Sequence, residues 1–185
     1  RSPSRGLGDV YKRQQYQSYE YMEIGSAEFE QMVQDTLDLI EFANGDESSK
    51  WGKVRAQLGH KAPFGLEYLG IGNEQWQMDN TDFFARYKIF EQRIHAKYPE
   101  IKLIGSAGPD VTSNHYTDAW EFYRKEKKNN PNFVYAIDEH YYMPPKWFLE
   151  HNDFYDNYPR DIKVFAGEYA AHDPEINIAH VSKNN

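Results

Sequence analysis

The chain has 185 residues, of which 39% are hydrophobic and 16% aromatic, so it can bury a core and is not disordered by composition. Its formal charge of −8 is spread without long runs of one sign, which argues against nucleic acid and anionic membranes as partners. With no cysteine, the chain has no disulfide, no thiolate nucleophile and no cysteine-ligated metal site. These totals leave the cellular compartment unassigned.

The first fourteen residues lack apolar periodicity and contain four of the 21 basic residues and one of the 29 acidic residues. Residues 4–14 read SRGLGDVYKRQ and resemble one reading frame of the adapter used in transposase-based DNA library preparation. We therefore expect residues 1–14 to be an artefact and the gene to continue upstream; a disordered basic tail is the alternative. Residues 15–185 then hold 17 basic and 28 acidic residues, a formal charge of −11.

A surface helix with one buried face is predicted over residues 26–44. Ser26 is a possible N-cap and Gly45 ends the pattern. The apolar residues that recur near helical spacing are Phe29, Met32, Val33, Leu37, Ile40 and Phe42.

Four short apolar runs follow, and each is bounded by glycine, proline or polar residues. They are LEYLGIG from residue 66, IKLIGSAG from 101, FVYAIDEH from 133 and IKVFAGEY from 162, with starts 35, 32 and 29 residues apart. Amphipathic helices are predicted between them at about 81–97, 115–128 and 145–157. Strands that alternate with helices indicate a parallel sheet with crossover connections.

Two architectures share this order of elements, the (β/α)₈ barrel and the open doubly wound sheet. A barrel of roughly 250 residues has about 31 residues per unit, which is close to the observed spacing. The doubly wound sheet usually has a glycine-rich phosphate loop, whereas GIGNEQ at residues 70–75 lacks the third glycine. We therefore predict an internal fragment of a (β/α)₈ barrel within residues 15–185.

Polar residues stand at the four predicted strand ends, where the active site of a barrel lies. These ends hold Asn73-Glu74, residues 106–110, residues 138–142 and Glu168-Tyr169. Two glutamates that each follow an apolar strand suggest paired carboxylates acting on a glycosidic bond. A buried ion pair or a loop cap is the alternative role for either glutamate.

Aromatic residues near the same strand ends would suit the C–H faces and hydroxyl rims of sugars. They are Trp76, Tyr141, Tyr142, Trp147 and Tyr169, and any one of them has packing under a loop as its alternative role. His140 and His172 with Asp138 or Asp173 suggest a metal site only weakly, because no third ligand is in view. We expect neither a metal nor a serine nucleophile, since Ser106 lies in GSAG rather than in a G-x-S-x-G motif.

The sequence resembles glycoside hydrolase family 51, the α-L-arabinofuranosidases, over nearly all of residues 15–185. The resemblance is clearest in DTLDLIEFANGDESSKWGKVRAQLGH, LEYLGIGNEQW, IKLIGSAGP, DEHYYMPPKWF and KVFAGEYAAH. It implies a retaining enzyme, built on a (β/α)₈ barrel with an attached β-sandwich, that removes terminal α-L-arabinofuranosyl groups from arabinoxylan, arabinan or their oligosaccharides. It implies no metal and no organic cofactor, and it implies an intact protein of a family whose members are often oligomeric.

The resemblance also implies roles for single residues. Glu74 matches the general acid/base that ends the fourth strand, and Glu168 matches the nucleophile that ends the seventh, which implies that the fragment runs roughly from the third helix to the seventh strand. Asn73 matches the asparagine that binds the sugar 2-hydroxyl, and His140 and Tyr142 match the His-x-Tyr pair of the sixth strand, with Tyr141 as the alternative tyrosine. Trp76 is expected to contact the substrate.

Two other interpretations stay open. Another retaining glycosidase of the same barrel clan, such as a xylanase, β-glucosidase or β-galactosidase, shares the glutamates of the fourth and seventh strands. A non-catalytic sugar-binding barrel is the second. A half barrel would expose two sheet edges, so we expect the chain as given to aggregate or stay partly unfolded and to be inactive.

Overall fold

A computed structural model describes residues 22–75 and 80–171 of the chain. In chain order the elements are α1 (Ala27–Asn44), α2 (Lys50–Gln57), β1 (Tyr68–Ile71), α3 (Asn80–Lys97), β2 (Lys102–Ser106), α4 (Asn114–Lys127), β3 (Ala136–Met143), α5 (Pro145–Glu150) and β4 (Lys163–Ala171). No helix in these ranges is long and apolar enough to cross a membrane.

The four strands form one sheet in which they follow chain order, β1-β2-β3-β4. β3 pairs in parallel with β2 on one side and with β4 on the other. Because α4 and α5 connect these parallel neighbours, the predicted parallel sheet with helical crossovers is confirmed.

The chain divides into two compact units. The first consists of the described residues up to Ile71 together with Thr81–Leu103, and its core includes Phe29 and Phe90, whose rings meet edge to face at 5.9 Å. The second consists of Gly72–Asn80 and the residues from Ile104 onwards. The second unit contains most of β2, all of β3 and β4, and both glutamates: Glu74 follows β1, and Glu168 lies within β4, which continues to Ala171 rather than ending at the glutamate.

Helix α1 begins and ends where its sequence predicts. The Ser26 side chain accepts a hydrogen bond from the Phe29 amide at 3.1 Å, and the Gly45 amide donates to Glu41 O at 2.7 Å. The predicted face is buried except at Phe42, which is half-buried.

Helix α2 was not predicted, because it has only eight residues and contains Gly52. Tertiary contacts stabilise this segment: the fully buried Arg55 guanidinium donates to the carbonyls of Phe42, His60 and Lys61 at 2.7 to 3.1 Å. A Cβ on Gly52 would overlap the Asp46 carbonyl, so only glycine allows this close packing.

Two predicted boundaries, the start of the third strand and the end of the helix that follows it, were wrong. The helix predicted over 145–157 ends at Glu150, and residues 151–157 form turns instead. The third strand starts at Ala136 rather than at 133 and continues to Met143. Asn152, Asp153, Asp156 and Asn157 favour turns, because their side chains compete with helical hydrogen bonds.

Candidate active site

Strand β3 presents different side chains to its two faces, because successive residues of a strand point to opposite sides. Asp138, His140 and Tyr142 share one face, which is also the face of Glu168. Glu139 and Tyr141 point to the other face and hydrogen-bond to each other there. Only the first face therefore belongs to the candidate site.

The loop after β1 places Glu74 by means of an unusual backbone conformation. Gly72 has φ of +86° and Glu74 has φ of +42°, which is rare for a residue with a side chain. The next residue, Gln75, is buried, and its Oε1 accepts a hydrogen bond from Ser106 Oγ at 2.7 Å. Strain of this kind persists only where surrounding contacts hold it, and the hydrogen bond from the end of β2 is such a contact.

Glu74 and Glu168 meet at the ring of His140. His140 Nδ1 lies 2.8 Å from Glu74 Oε1 and 3.7 Å from Glu168 Oε2. The histidine side chain is 2% exposed, whereas those of Glu74 and Glu168 are 14% and 23% exposed. The two carboxylates therefore open towards solvent from a buried imidazole.

Glu168 is oriented from a second side by Tyr142, whose hydroxyl donates to Glu168 Oε2 at 2.7 Å. The pairing of β3 with β4 brings the residues into this register, with His140 opposite Glu168 and Asp138 opposite Phe165. The two aligned pairs are separated by one residue on β3 and by two residues on β4. The extra residue is a β-bulge that directs Glu168 to the face of His140.

Acidic neighbours keep His140 in its charged form. Burial alone would lower the pKa of His140, but hydrogen bonds with Asp138 and Glu74 and the charges of Asp138 and Glu168 raise it to about 9. The imidazolium consequently carries a positive charge beside both glutamates at neutral pH.

The other predicted site residues lie in different surroundings. Asn73 directly precedes Glu74 and is half-buried, while Trp76 and His172 lie outside the described residues. Tyr141 and Trp147 pack in an apolar cluster around Val111 and Met143 on the opposite face of β3. Tyr169 is 73% exposed.

Two participants were missed by the sequence analysis. Asp138 was given only as one of the polar residues at the third strand end and as a weak metal-ligand candidate, and Gln75 was not considered as a site residue. Both residues are buried. Their only signal in the sequence is a polar side chain near the end of a predicted strand. Their partners, Gly167 and Ser106, are 29 and 31 residues away in the chain.

Glu74, His140 and Glu168 also satisfy the distance requirement of a metal site. Each offers one ligand atom, and these three atoms lie within 4.8 Å of one another. Two carboxylates and one imidazole would suit a divalent cation. The same short separation suits two carboxyl groups that act together on one bond.

Comparison with known proteins identifies the family. Residues 8–160 match the family model described as "Alpha-L-arabinofuranosidase 1 domain". The chain belongs to this α-L-arabinofuranosidase family. The match confirms the resemblance found in the sequence, and it begins inside the segment for which we expect an artefactual origin.

Curated α-L-arabinofuranosidases are similar over most of this chain. The extracellular exo-α-L-arabinofuranosidase of Streptomyces chartreusis is 49% identical over 140 residues, which are 75% of this chain and 16% of that protein. α-L-Arabinofuranosidase 1 of Arabidopsis thaliana is 38% identical over 129 residues, 69% of this chain and 19% of that protein. The chain thus spans less than a fifth of the length of either relative.

Solved structures of α-L-arabinofuranosidases have a similar fold. The arabinose-bound MgGH51 enzyme superposes with a TM-score of 0.59 at 28% identity, covering 77% of this chain and 20% of that one. The Thermotoga maritima enzyme, solved as an arabinose complex, has a TM-score of 0.53 at 17% identity over 76% of this chain and 32% of its own.

Proposed function

We propose that this chain is part of the catalytic (β/α)₈ barrel of a retaining α-L-arabinofuranosidase, which hydrolyses terminal non-reducing α-L-arabinofuranosides. Glu74 is the general acid/base and Glu168 is the nucleophile. Membership of the family and the carbohydrate named in the relatives support this assignment.

The separation of the two glutamates carries the proposal. Retaining glycosidases hold their carboxyl groups about 5–5.5 Å apart, whereas inverting enzymes need about 6.5–9.5 Å to admit a water molecule. One carboxylate oxygen of Glu74 lies within 4.8 Å of one carboxylate oxygen of Glu168. This distance favours direct attack by a carboxylate over attack by an interposed water.

In the first step, Glu168 attacks the anomeric carbon while Glu74 protonates the leaving oxygen, which gives a covalent glycosyl-enzyme and a free alcohol. The hydrogen bond from Tyr142 holds one Glu168 oxygen, so the other is aimed at the sugar. In the second step, Glu74 takes a proton from water, and the resulting hydroxide displaces Glu168. Arabinose then leaves with its configuration retained.

The remaining site residues bind and orient the sugar in this proposal. Asn73 hydrogen-bonds the 2-hydroxyl, a contact that strengthens as positive charge develops on the ring. His140 holds the two carboxylates in position, and Trp76 offers an aromatic face. The mechanism requires neither metal nor organic cofactor, and the partner is an arabinose-containing oligosaccharide or polysaccharide.

Azide rescue tests this assignment in the intact protein that contains the chain. With para-nitrophenyl α-L-arabinofuranoside we expect hydrolysis by the parent and a loss of at least about 10³-fold in kcat in Glu168→Ala. Azide should restore turnover in Glu168→Ala as a glycosyl azide of inverted configuration, because azide replaces the nucleophile. In Glu74→Ala, azide should give the product of retained configuration, because azide replaces water in the second step.

Glu150→Ala serves as the matched control, since Glu150 lies on α5 and forms an exposed ion pair with Lys146. It should behave as the parent. A well-folded parent that cleaves β-xylosides or β-galactosides but not arabinofuranosides would move the assignment to another retaining enzyme of the barrel clan. A parent that binds arabino-oligosaccharides without cleaving them would indicate a non-catalytic barrel.

A further inference from the structure

Asp138 is a buried carboxylate that contacts two parts of the candidate site. It lies on the same face of β3 as His140, and the residue is 8% exposed. One of its oxygens is directed to β4 and the other to the histidine ring. Burying a carboxylate costs free energy unless its oxygens are hydrogen-bonded, so both contacts help to stabilise the buried Asp138.

The first contact holds the bulge of β4. Asp138 Oδ1 accepts a hydrogen bond from the Gly167 amide at 3.0 Å, and Gly167 directly precedes Glu168. Without the bulge, the period of two along a strand would place Glu168 on the face opposite to Phe165. The hydrogen bond therefore fixes the backbone at the position that decides where Glu168 points.

Gly167 packs directly against the Asp138 side chain. A Cβ on Gly167 would overlap the Asp138 carboxylate. The backbone of Gly167 lies outside the left-handed region, so an L-residue is conformationally acceptable there. The space taken by Asp138 is thus what restricts position 167 to glycine.

The second contact connects Asp138 to Glu74 through the ring of His140. Asp138 Oδ2 lies 3.4 Å from His140 Nε2, and the other ring nitrogen of His140 lies 2.8 Å from Glu74 Oε1. The ring is therefore held between two carboxylates.

We propose that Asp138 is a positioning residue that sets both carboxyl groups of the proposed reaction, Glu168 through the Gly167 amide and Glu74 through the His140 ring. The proposal rests on the function proposed above. The contacts of Asp138 with Gly167 and His140 are the routes by which it acts on the two carboxylates. A misplacement of about 1 Å in a reacting group can cost about 100-fold in rate, which makes such a residue visible in kcat.

Two substitutions of Asp138 separate the contacts. Asp138→Asn keeps an oxygen that can accept from the Gly167 amide, but it turns a donor towards His140. We expect a melting temperature near that of the parent and a fall of about 10- to 100-fold in kcat, with kcat/KM falling equally. Asp138→Ala removes both contacts and should lower the melting temperature as well. Asp156→Asn, an exposed carboxylate in the turns after α5, is the matched control and should change neither quantity.

A double-mutant cycle tests the contact with β4. Gly167→Ala should lower kcat about as much as Asp138→Ala, because the new methyl group displaces the carboxylate. In the double variant the methyl group has room, so the two losses should not add. Losses that multiply in the double variant would overturn the coupling, even if both single variants were impaired.

The outcomes distinguish this proposal from a merely structural role and from the proposed function. An Asp138→Asn variant with parental kcat would overturn the positioning role, as would a loss explained by the unfolded fraction alone. The kinetics are measured on whichever aryl glycoside the parent cleaves, so a change of sugar leaves the test intact. A parent that cleaves none would overturn the proposed function and the catalytic half of this proposal, and the same cycle in melting temperature would then decide the contact between Asp138 and Gly167.

Discussion

His140 is almost fully buried and yet contacts three carboxylates, those of Glu74, Asp138 and Glu168. Its neighbours compensate for the burial of its charge and leave the ring protonated at neutral pH. At the scale of single residues, this ion cluster is therefore a source of pH-dependent stability.

The sign of the pH dependence follows from the direction of the shift. The pKa of His140 rises from 6.5 in the unfolded chain to about 9 in the folded protein. The stabilisation is fully present below about pH 6.5 and is lost as the pH rises through 9. Its size is on the order of 3 kcal/mol. We expect the urea midpoint of the intact protein to fall between pH 6.5 and 9.

His140→Gln provides the comparison, because it removes the titrating group while the tyrosines and lysines that ionise at higher pH remain. The difference in unfolding free energy between parent and variant should shrink as the pH rises through that window. A difference that stays constant from pH 6 to 10 would rule out the charged histidine as its source.

Glu139 shows that burial of a carboxylate alone does not mark a catalytic group. It lies on the other face of β3, where Trp120 Nε1 donates at 2.7 Å and the Tyr141 hydroxyl also donates. Burial raises the pKa of Glu139, and these donors lower it only in part. The hydrogen bond from Trp120 connects β3 to α4, so we assign Glu139 to the stability of the fold and not to the proposed reaction.

At the scale of elements, Glu139 also explains why the segment after α5 is not helical. Tyr158 Oη lies 3.4 Å from Glu139, and Tyr155 Oη donates to the Tyr141 hydroxyl at 2.5 Å. The rings of Phe154, Tyr155 and Tyr158 pack against each other with centroids 4.9 to 5.6 Å apart. These tertiary contacts outweigh the helical periodicity of residues 145–157.

Helix α4 approaches β2 closely enough that position 105 must be glycine. A Cβ on Gly105 would overlap the ring of the fully buried Tyr123, whose hydroxyl donates to Ser106 O at 3.2 Å. We expect Gly105→Ala to destabilise the intact protein by about 1–3 kcal/mol, measured as the free energy of unfolding in urea.

Tyr123→Phe is the control for this substitution, because it removes the hydrogen bond to Ser106 and keeps the ring. It should cost about 1 kcal/mol. A Gly105→Ala variant that unfolds at the parental urea concentration would show that α4 can move away from β2 without loss, contrary to the expected tight packing.

At the scale of the whole molecule, β4 is the most exposed strand of the sheet. It stands at the end of the strand order, and Phe165 and Tyr169 are 38% and 73% exposed on it. An edge strand with exposed aromatic rings is a template for pairing with another chain.

We therefore expect the 185-residue chain, expressed as given, to self-associate and to show no useful hydrolysis. Phe165→Lys should reduce association in sedimentation velocity, because a charge on an edge strand opposes pairing. Leu149→Lys also replaces an exposed apolar residue, but it lies on α5 and should have little effect. A monomer that melts cooperatively would contradict this expectation.

The sequence alone determined the features that depend on local chemistry and on spacing. Three features could be predicted because each involves neighbours in the chain. They are the Ser26 cap, the alternation of apolar runs with amphipathic helices, and the acidic residues that follow those runs. Parallel strands bring such ends to one edge, so Glu74 and Glu168 could be paired before any coordinates were known.

Only the tertiary structure decided what depends on partners distant in the chain. The bulge that turns Glu168 towards His140, the Asp138 contact with Gly167 and the Gln75 contact with Ser106 join residues 28 to 31 positions apart. It likewise placed Tyr142 rather than Tyr141 on Glu168, because a shift of one residue along a strand reverses the face. Periodicity predicts that a strand exists, but its register is set by packing and hydrogen bonds that no single segment contains.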